Sequence, residues 1–354
     1  MTIRIVQWTS GGVARQCVRH ILARPDMELV GMYAYSADKV GADAGELVGL
    51  PALGIKATND IDQLLALKPD CVSYSPLFPD VAHIERILEA GVNIVTTSLF
   101  MTGWNISTKQ AWGQQDAVER ISAAATKGKA SIFGSGMNPG FINYLAGVVS
   151  GLSHNVSHVR VTESVDVCLF AGDGYMDPLG WGLPEGSPGH AERVLEETRV
   201  FGDGIEVMAR MLGIKLDDIR CAIDFAYATE DLPLEGRPIA KGTVAGMKIN
   251  WQGYMAGRCV LENCQIWAMG NRIEPPMPVD HAYIVEVNGD PHVRTRLEIM
   301  PAGDLAAMGK EDFHATGMTI TGLPSINAIP AVCKAEPGIR TYADLPTISG
   351  VFSG

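Results

Sequence analysis

Positive charge is scarce in this sequence: Lys and Arg number 28 against 40 Asp and Glu, a formal charge of -12 at pH 7. Such a chain repels phosphate polymers and anionic headgroups, which argues against nucleic-acid and membrane-surface partners. Paired cysteine is also lacking. The seven cysteines, Cys17, Cys71, Cys168, Cys221, Cys259, Cys264 and Cys333, are odd in number, scattered, and form no C-x-x-C unit. This excludes a disulfide scaffold or zinc ribbon, and we expect a reduced cytoplasmic chain with no metal site, Cys259 and Cys264 included. Long hydrophobic runs are missing as well. The stretch from Ile142 to Leu152 is broken by Asn143 and Ser150 and falls well short of the ~20 residues that cross a bilayer. The opening Ile3-Arg4-Ile5-Val6 has no basic segment followed by an apolar one, so no signal peptide is expected.

What is present is core material, with 47% hydrophobic and 19% charged residues in 354 positions, a length that suits two lobes. Compact apolar runs alternate with helical patterns at the start. Ile3 to Trp8, Met27 to Tyr35, Cys71 to Tyr74, Val92 to Thr97 and Ala130 to Phe133 read as strands. Val13 to Ala23, with Val13, Cys17, Ile21 and Leu22 on one face, reads as a helix, as do Ile61 to Leu67, Val81 to Ala90 and Lys109 to Lys127. Alternation of this kind buries both faces of a parallel sheet only when the helices serve as crossovers, which predicts a doubly wound α/β domain. Beyond Gly140 the rhythm changes to consecutive strand patterns with a loop over Phe170 to Pro188 and a helical stretch over Ala191 to Leu212. These predict a second α+β lobe with an open mixed, largely antiparallel sheet. The expected division is 1–138 for dinucleotide binding, 139–321 for substrate binding and dimerisation, and 322–354 for a C-terminal segment with a helix over Leu323 to Cys333.

The strongest local signal is Thr9-Ser10-Gly11-Gly12-Val13-Ala14 between the first strand and the first helix. It is a G-x-G-x-x-G/A fingerprint with Thr9 in the first glycine's place, Gly11 in the second and Ala14 in the third. A missing side chain at the second position lets a pyrophosphate approach main-chain amides at a helix N-terminus. The second strand ends in Tyr35-Ser36 without the carboxylate that would accept the adenosine ribose hydroxyls. NADP(H) is therefore favoured and NAD(H) remains open, with Ser36, Lys39 and Arg15 as candidate phosphate partners and Tyr35 beside the adenine.

A second motif, Gly134-Ser135-Gly136-Met137-Asn138-Pro139-Gly140, ends another strand; Asn138 is expected to cap the following helix with Pro139 at its first position. Together with Gly91-Val92-Asn93-Ile94-Val95-Thr96-Thr97, Val244-Ala245-Gly246, the tail Asn327-Ala328-Ile329-Pro330, Pro337-Gly338 and Asp344-Leu345-Pro346, it resembles the 2,4-diaminopentanoate dehydrogenases and native amine dehydrogenases, and more distantly dihydrodipicolinate reductase. The resemblance implies a Rossmann domain, a second lobe with an open sheet, a C-terminal segment returning to the first lobe, a homodimer, and hydride transfer between NAD(P)H and a carbon bound to oxygen or nitrogen. It adds Ser75, Leu77, Thr97 and Asn138 on the nicotinamide side and Asn327 to the cofactor-binding candidates. Amine-forming members carry a glutamate just after the motif ending at Thr97; this chain reads Ser98-Leu99-Phe100-Met101 there.

Without that carboxylate, Leu99 and Phe100 would line a drier pocket, with Phe170 and Tyr175 from the long loop, and Trp181 beside them. Proton exchange would fall to Glu163 or Asp166, which alternation places on opposite faces of one strand, or to the phenol of Tyr144. His190 is expected to cap a helix or face solvent. Two enzymatic readings stay open, reductive amination or its reverse and direct reduction of a ketone, aldehyde or imine without ammonia, beside a third in which the fold is a non-catalytic dinucleotide sensor.

Overall fold

The computed structural model describes residues 2–98, 102 and 116–352. These form two compact units, Met1–Phe141 with Gly317–Gly354, and Ile142–Thr316.

In the first unit, β1 (Ile3–Trp8), β2 (Met27–Tyr33), β3 (Ala57–Thr58), β4 (Cys71–Tyr74), β5 (Asn93–Thr96), β6 (Ser131–Gly134) and β14 (Gly338–Arg340) make one parallel sheet in the order β14-β6-β5-β4-β1-β2-β3. Both faces are covered, so β4 and β6 are buried at every position. The crossovers are α1 (Gly12–Leu22), α2 (Ala44–Leu47), α3 (Ile61–Ala66), α4 (Val81–Glu89) and α5 (Ala117–Gly128). Asp60 and Asp80 cap α3 and α4 by accepting two main-chain N–H groups each. On α1 the buried row is Ala14, Cys17, Val18 and Ile21, whereas Leu22, expected in it, is 42% exposed.

The C-terminal helix is longer than the sequence indicates: α9 spans Lys310–Val332, and the part that precedes the expected Leu323 to Cys333 carries the weak helix formers Thr316, Gly317, Thr319, Thr321 and Gly322. From residue 317 onward it lies along α1. A β-carbon on Gly322 would come 2.7 Å from Cys17 Sγ, and Met318 packs at Gly12.

In the second unit, β7 (His154–Asp166), β8 (Asp218–Ala228), β9 (Val244–Met255), β10 (Arg258–Ala268), β11 (Ile273–Glu274), β12 (Ala282–Asp290) and β13 (Val293–Leu297) form a sheet in the order β11-β8-β9-β10-β7-β12-β13. Its pairings are antiparallel except β10 with β7. The stretch expected as one helix is two, α7 (His190–Glu197) and α8 (Val200–Met211). The break falls at buried Thr198, whose hydroxyl donates back to the Val194 carbonyl at 2.6 Å and accepts from the Trp251 indole at 3.3 Å. His190 neither caps a helix nor meets solvent. It is buried, stacked on Phe225 at 4.3 Å, with Nε2 2.8 Å from the Leu179 carbonyl.

The close approach of α4 and α5 gives a test with a definite sign. Replacing glycine by alanine in a helix ordinarily gains about 1 kcal/mol. At Gly128 the new methyl would overlap the Leu88 carbonyl oxygen. Gly128→Ala is therefore expected to destabilise by about 1–3 kcal/mol, read as a lower denaturant midpoint at constant slope.

Candidate functional site

The glycine turn leaves β1 at the carboxyl edge of the parallel sheet, where β1 lies between β2 and β4 and the order of connection reverses. Open α/β sheets hold their ligands at such a crevice. Thr9, in the place of the first glycine, takes the left-handed conformation that glycine would supply, with φ +76. Its N–H donates to the Tyr33 carbonyl at 2.9 Å and its hydroxyl to the Ser75 carbonyl at 3.2 Å, tying the turn to the strands on either side. Gly11 then precedes α1 with an unexceptional φ of -71, and no side chain caps the helix. A β-carbon on Gly11 would meet nothing within 4 Å. The helix start is thus uncapped by any side chain and open at Gly11, an arrangement that suits a diphosphate. Buried Ala14 packs the helix onto the sheet from the third position.

Around this turn the structure gathers several of the sequence candidates. Lys39 Nζ donates to buried Ser10 Oγ at 3.3 Å, and the Lys39 N–H donates to the Ser36 carbonyl at 3.0 Å, so both residues of the loop after β2 belong to the turn's surroundings. Gly12 and Arg15 are exposed and Val13 is half-buried. Tyr35 extends an aromatic group in which Trp8 and Tyr33 stack at 4.1 Å and His83 lies 6.2 Å from the Tyr35 ring. Leu77 is 58% exposed after β4, and the Thr97 N–H donates to the Tyr74 carbonyl at 3.3 Å.

The second glycine motif folds as a closed turn in the same unit. The Gly136 N–H donates to the Pro139 carbonyl at 3.2 Å and the Phe141 N–H to the Gly136 carbonyl at 2.9 Å. Gly140, with φ +139, is required, since a β-carbon there would lie 2.5 Å from the Gly136 oxygen. The helix α6 (Phe141–Ser150) starts later than expected, so Asn138 and Pro139 are not its cap and first residue but part of the turn before it.

In the second unit, Glu163 and Asp166 lie on opposite faces of β7, and their surroundings differ. Glu163 Oε1 accepts from Trp267 Nε1 at 3.0 Å. Tyr175 and Tyr283 are drawn into the same group: burial and the neighbouring carboxylates, Asp173 and Glu163 for Tyr175 and Glu163 for Tyr283, push both phenols above their ordinary range. Asp173 joins Tyr175 to His314, whose Nε2 is 2.9 Å from Asp173 Oδ2, and Phe170 lies 5.1 Å from the His314 ring. Asp166 Oδ1 instead accepts the Cys168 N–H at 2.9 Å, a turn-forming contact. Tyr144 is half-buried on α6, hydrogen-bonded or otherwise paired, and Trp181 is buried.

A family model described as the 2,4-diaminopentanoate dehydrogenase C-terminal domain matches residues 141–354. The chain belongs to this family. It is an NAD(P)-dependent oxidoreductase resembling amine dehydrogenases and acts on a small molecule. An amine dehydrogenase from Streptomyces virginiae is 29% identical over 97% of this chain and 96% of its own length. The structure of an amine dehydrogenase from Mycobacterium smegmatis has the same fold, with TM-score 0.80 at 21% identity over 99% of this chain and 98% of that one. A 4-hydroxy-tetrahydrodipicolinate reductase from Synechococcus elongatus is 41% identical over 63 residues, 18% of this chain and 23% of that protein.

Leu99 and Phe100, expected from the resemblance to line the substrate pocket, lie outside the described residues. Several members of the second unit's polar group escaped sequence reading. Asp173, Trp267, Tyr283 and His314 come from separated segments and carry no motif. Buried Asp203 and Glu206 on α8 carry a sequence signal, two acids three residues apart in a helix whose one other charged residue is Arg210; both have partners.

Asn327, expected among the cofactor-binding residues, is engaged by Arg24. Its Oδ1 accepts from Arg24 at 3.2 Å, beyond the C-terminal end of α1. The eleven residues of α1 separate that end from the glycine turn by about 16 Å. Asn327→Ala is accordingly expected to leave dinucleotide affinity unchanged while costing about 1 kcal/mol of stability through the lost acceptor. Fluorescence titration and chemical denaturation of the same variant measure the two effects.

Proposed function

We propose that this chain transfers hydride between a nicotinamide dinucleotide, NADP(H) in preference to NAD(H), and the carbon of a small or apolar ketone or imine, with reductive amination or its reverse as the first reading. The observation that carries it is the uncapped N-terminus of α1 behind the open Gly11, at the carboxyl edge of β1. In this reading Thr9 to Val13 cradle the diphosphate. Ser36, Lys39 and Arg15 take the adenosine 2′-phosphate, and the absence of an acid at the end of β2 supports the NADP(H) preference. Ser75, Leu77, Thr97 and Asn138 line the nicotinamide side. The bound dinucleotide supplies or accepts the hydride.

The chain's own contribution is orientation and proton exchange. Glu163, held by the Trp267 indole, is our candidate acid–base group, with Tyr175 beside it; Asp166 is the weaker candidate because its carboxylate serves the turn at Cys168. Tyr144 remains a phenol of the second unit without an assigned role. Direct reduction without ammonia is favoured by one observation, the absence of a carboxylate in Ser98-Leu99-Phe100-Met101. We further propose a homodimer acting in the cytoplasm, with 1–138 as the dinucleotide-binding part, 139–321 as the substrate-binding and dimer-forming part, and 322–354 as a segment returning to the first. Among the described residues no helix is long and apolar enough to cross a membrane.

Two measurements test this reading. Trp8, buried one residue before Thr9, is a built-in reporter for titration with NADPH and NADH. Wild type should bind at least one saturably. Gly11→Ala, unstrained and with open space at the new methyl, should fold normally and bind about tenfold or more weakly; failure of wild type to bind either dinucleotide overturns the reading. The second measurement is NADPH oxidation with a ketone panel, with and without ammonium. Amine product that depends on ammonium supports reductive amination, alcohol product supports direct reduction, and tight binding without turnover identifies a sensor. If Glu163 moves the proton, Glu163→Gln lowers kcat by about 10²- to 10⁴-fold at unchanged dinucleotide affinity.

A further inference from the structure

Away from the groups considered above, the sheet of the second unit brings together three side chains of metal-ligand type from two strands. On β7 and β10 the parallel register sets Glu262 against Arg160, so His158, two residues before Arg160, shares a face with Glu262. His158 Nε2 lies 2.9 Å from Glu262 Oε1. Cys259 is three residues before Glu262, and in an unbroken strand it would point to the opposite face. It does not, because the register of β10 against β9 shifts between Cys259 and Leu261. Cys259 faces Tyr254 and Glu262 faces Gln252, two positions apart on β9, so Val260 is the extra residue of a bulge that turns the thiol to the side of His158 and Glu262. The ligand atoms of His158, Cys259 and Glu262 all lie within 4.8 Å of one another.

We propose that His158, Cys259 and Glu262 bind one divalent cation of the zinc class, completed by solvent in a fourth position and bracing the parallel pairing of β7 with β10. Nitrogen, thiolate and carboxylate donors are the set that zinc takes; bonds of about 2.0–2.3 Å in tetrahedral array set ligand atoms about 3.3–3.6 Å apart, so His158 Nε2 and Glu262 Oε1, at 2.9 Å, would part slightly while the thiol, within 4.8 Å of both, closes on them. Supporting contacts are in place. Asn250 Nδ2 donates to Glu262 Oε2 at 2.5 Å and orients the carboxylate. Asn250 itself is 9% exposed, and its Oδ1 is buried with no hydrogen-bond partner among the described residues. Zinc takes cysteine as the thiolate, so binding displaces the Cys259 proton. One group opposes a cation: Arg160 Nη1 stands 3.9 Å from Glu262 Oε1. Its charge should weaken the site, which gives the proposal a second, oppositely signed test.

The experiment uses the full chain stripped with a chelator and titrated with Zn2+ by calorimetry and with Co2+ by absorption. The expected result is one equivalent of Zn2+, weakened about tenfold or more in His158→Ala and in Cys259→Ser. A thiolate-to-cobalt charge-transfer band should be present in wild type and absent in Cys259→Ser. Arg160→Gln should bind Zn2+ more tightly than wild type. Absence of saturable Zn2+ binding by wild type overturns the proposal, as does a cobalt spectrum unaffected by Cys259→Ser or an affinity that falls in Arg160→Gln. Since the wild-type spectrum alone reports a thiolate ligand, a variant that fails to fold does not remove the test. Dinucleotide titration is scored separately, so its failure and that of the metal site are distinguishable.

Discussion

The first unit's ligand-facing edge depends on the path of the chain out of β1. A parallel sheet buried on both faces satisfies its main chain internally, so it can offer free donors only where a strand stops and a helix begins. Here that point is held by a residue with a side chain in a conformation glycine would adopt more cheaply. Thr9 at φ +76 carries a left-handed cost of about 1–2 kcal/mol. The hydroxyl bond to the Ser75 carbonyl, and the N–H bond to the Tyr33 carbonyl, offset it by fastening the turn to β4 and β2 together. The substitution that makes the fingerprint look degraded thus replaces conformational freedom with a tether across the crevice.

This explains why the first unit was largely legible in the sequence. β1 was read to its residue bounds and β4 likewise, because each is a short, mostly apolar run, interrupted only by Arg4 and Gln7 in β1 and by Ser73 in β4. What failed did so for identifiable reasons. The first half of α9 was hidden by weak helix formers, Thr316, Gly317, Thr319, Thr321 and Gly322, whose propensity penalty is outweighed by packing at α1 through Met318 and Gly322. Asn138 carried a capping signature, but the closed turn fixed by Gly140 delays α6 to Phe141. His190 read as polar and exposed because nothing local announces Phe225, stacked on it from β8.

The second unit was legible as strands but not as a site. Sequence alternation sorts Glu163 from Asp166 correctly, yet it cannot say that Trp267 holds one and the Cys168 N–H occupies the other. Parity arguments also fail wherever a bulge intervenes. Counting by two separates Cys259 from Glu262, and the single extra residue Val260 reunites them. The parallel pairing of β10 with β7, which completes that cluster, joins strands far apart in sequence and leaves no periodic trace.

The two units therefore carry different kinds of information about function. In the proposed reading, a diphosphate cradle made of main-chain donors tolerates Thr9 and Ala14 in glycine's place, since geometry alone is asked of it. Carbonyl or imine chemistry asks for a particular side chain at a particular point, and the loss of one proton-exchanging group costs orders of magnitude in rate. A carboxylate is absent from Ser98-Leu99-Phe100-Met101, while acidic and phenolic groups gather around Glu163. The dinucleotide half of the reaction can be inherited with the fold, but the proton half has to be rebuilt from side chains. The proposal looks for that half around Glu163, where Tyr175 and Asp173 gather in the second unit.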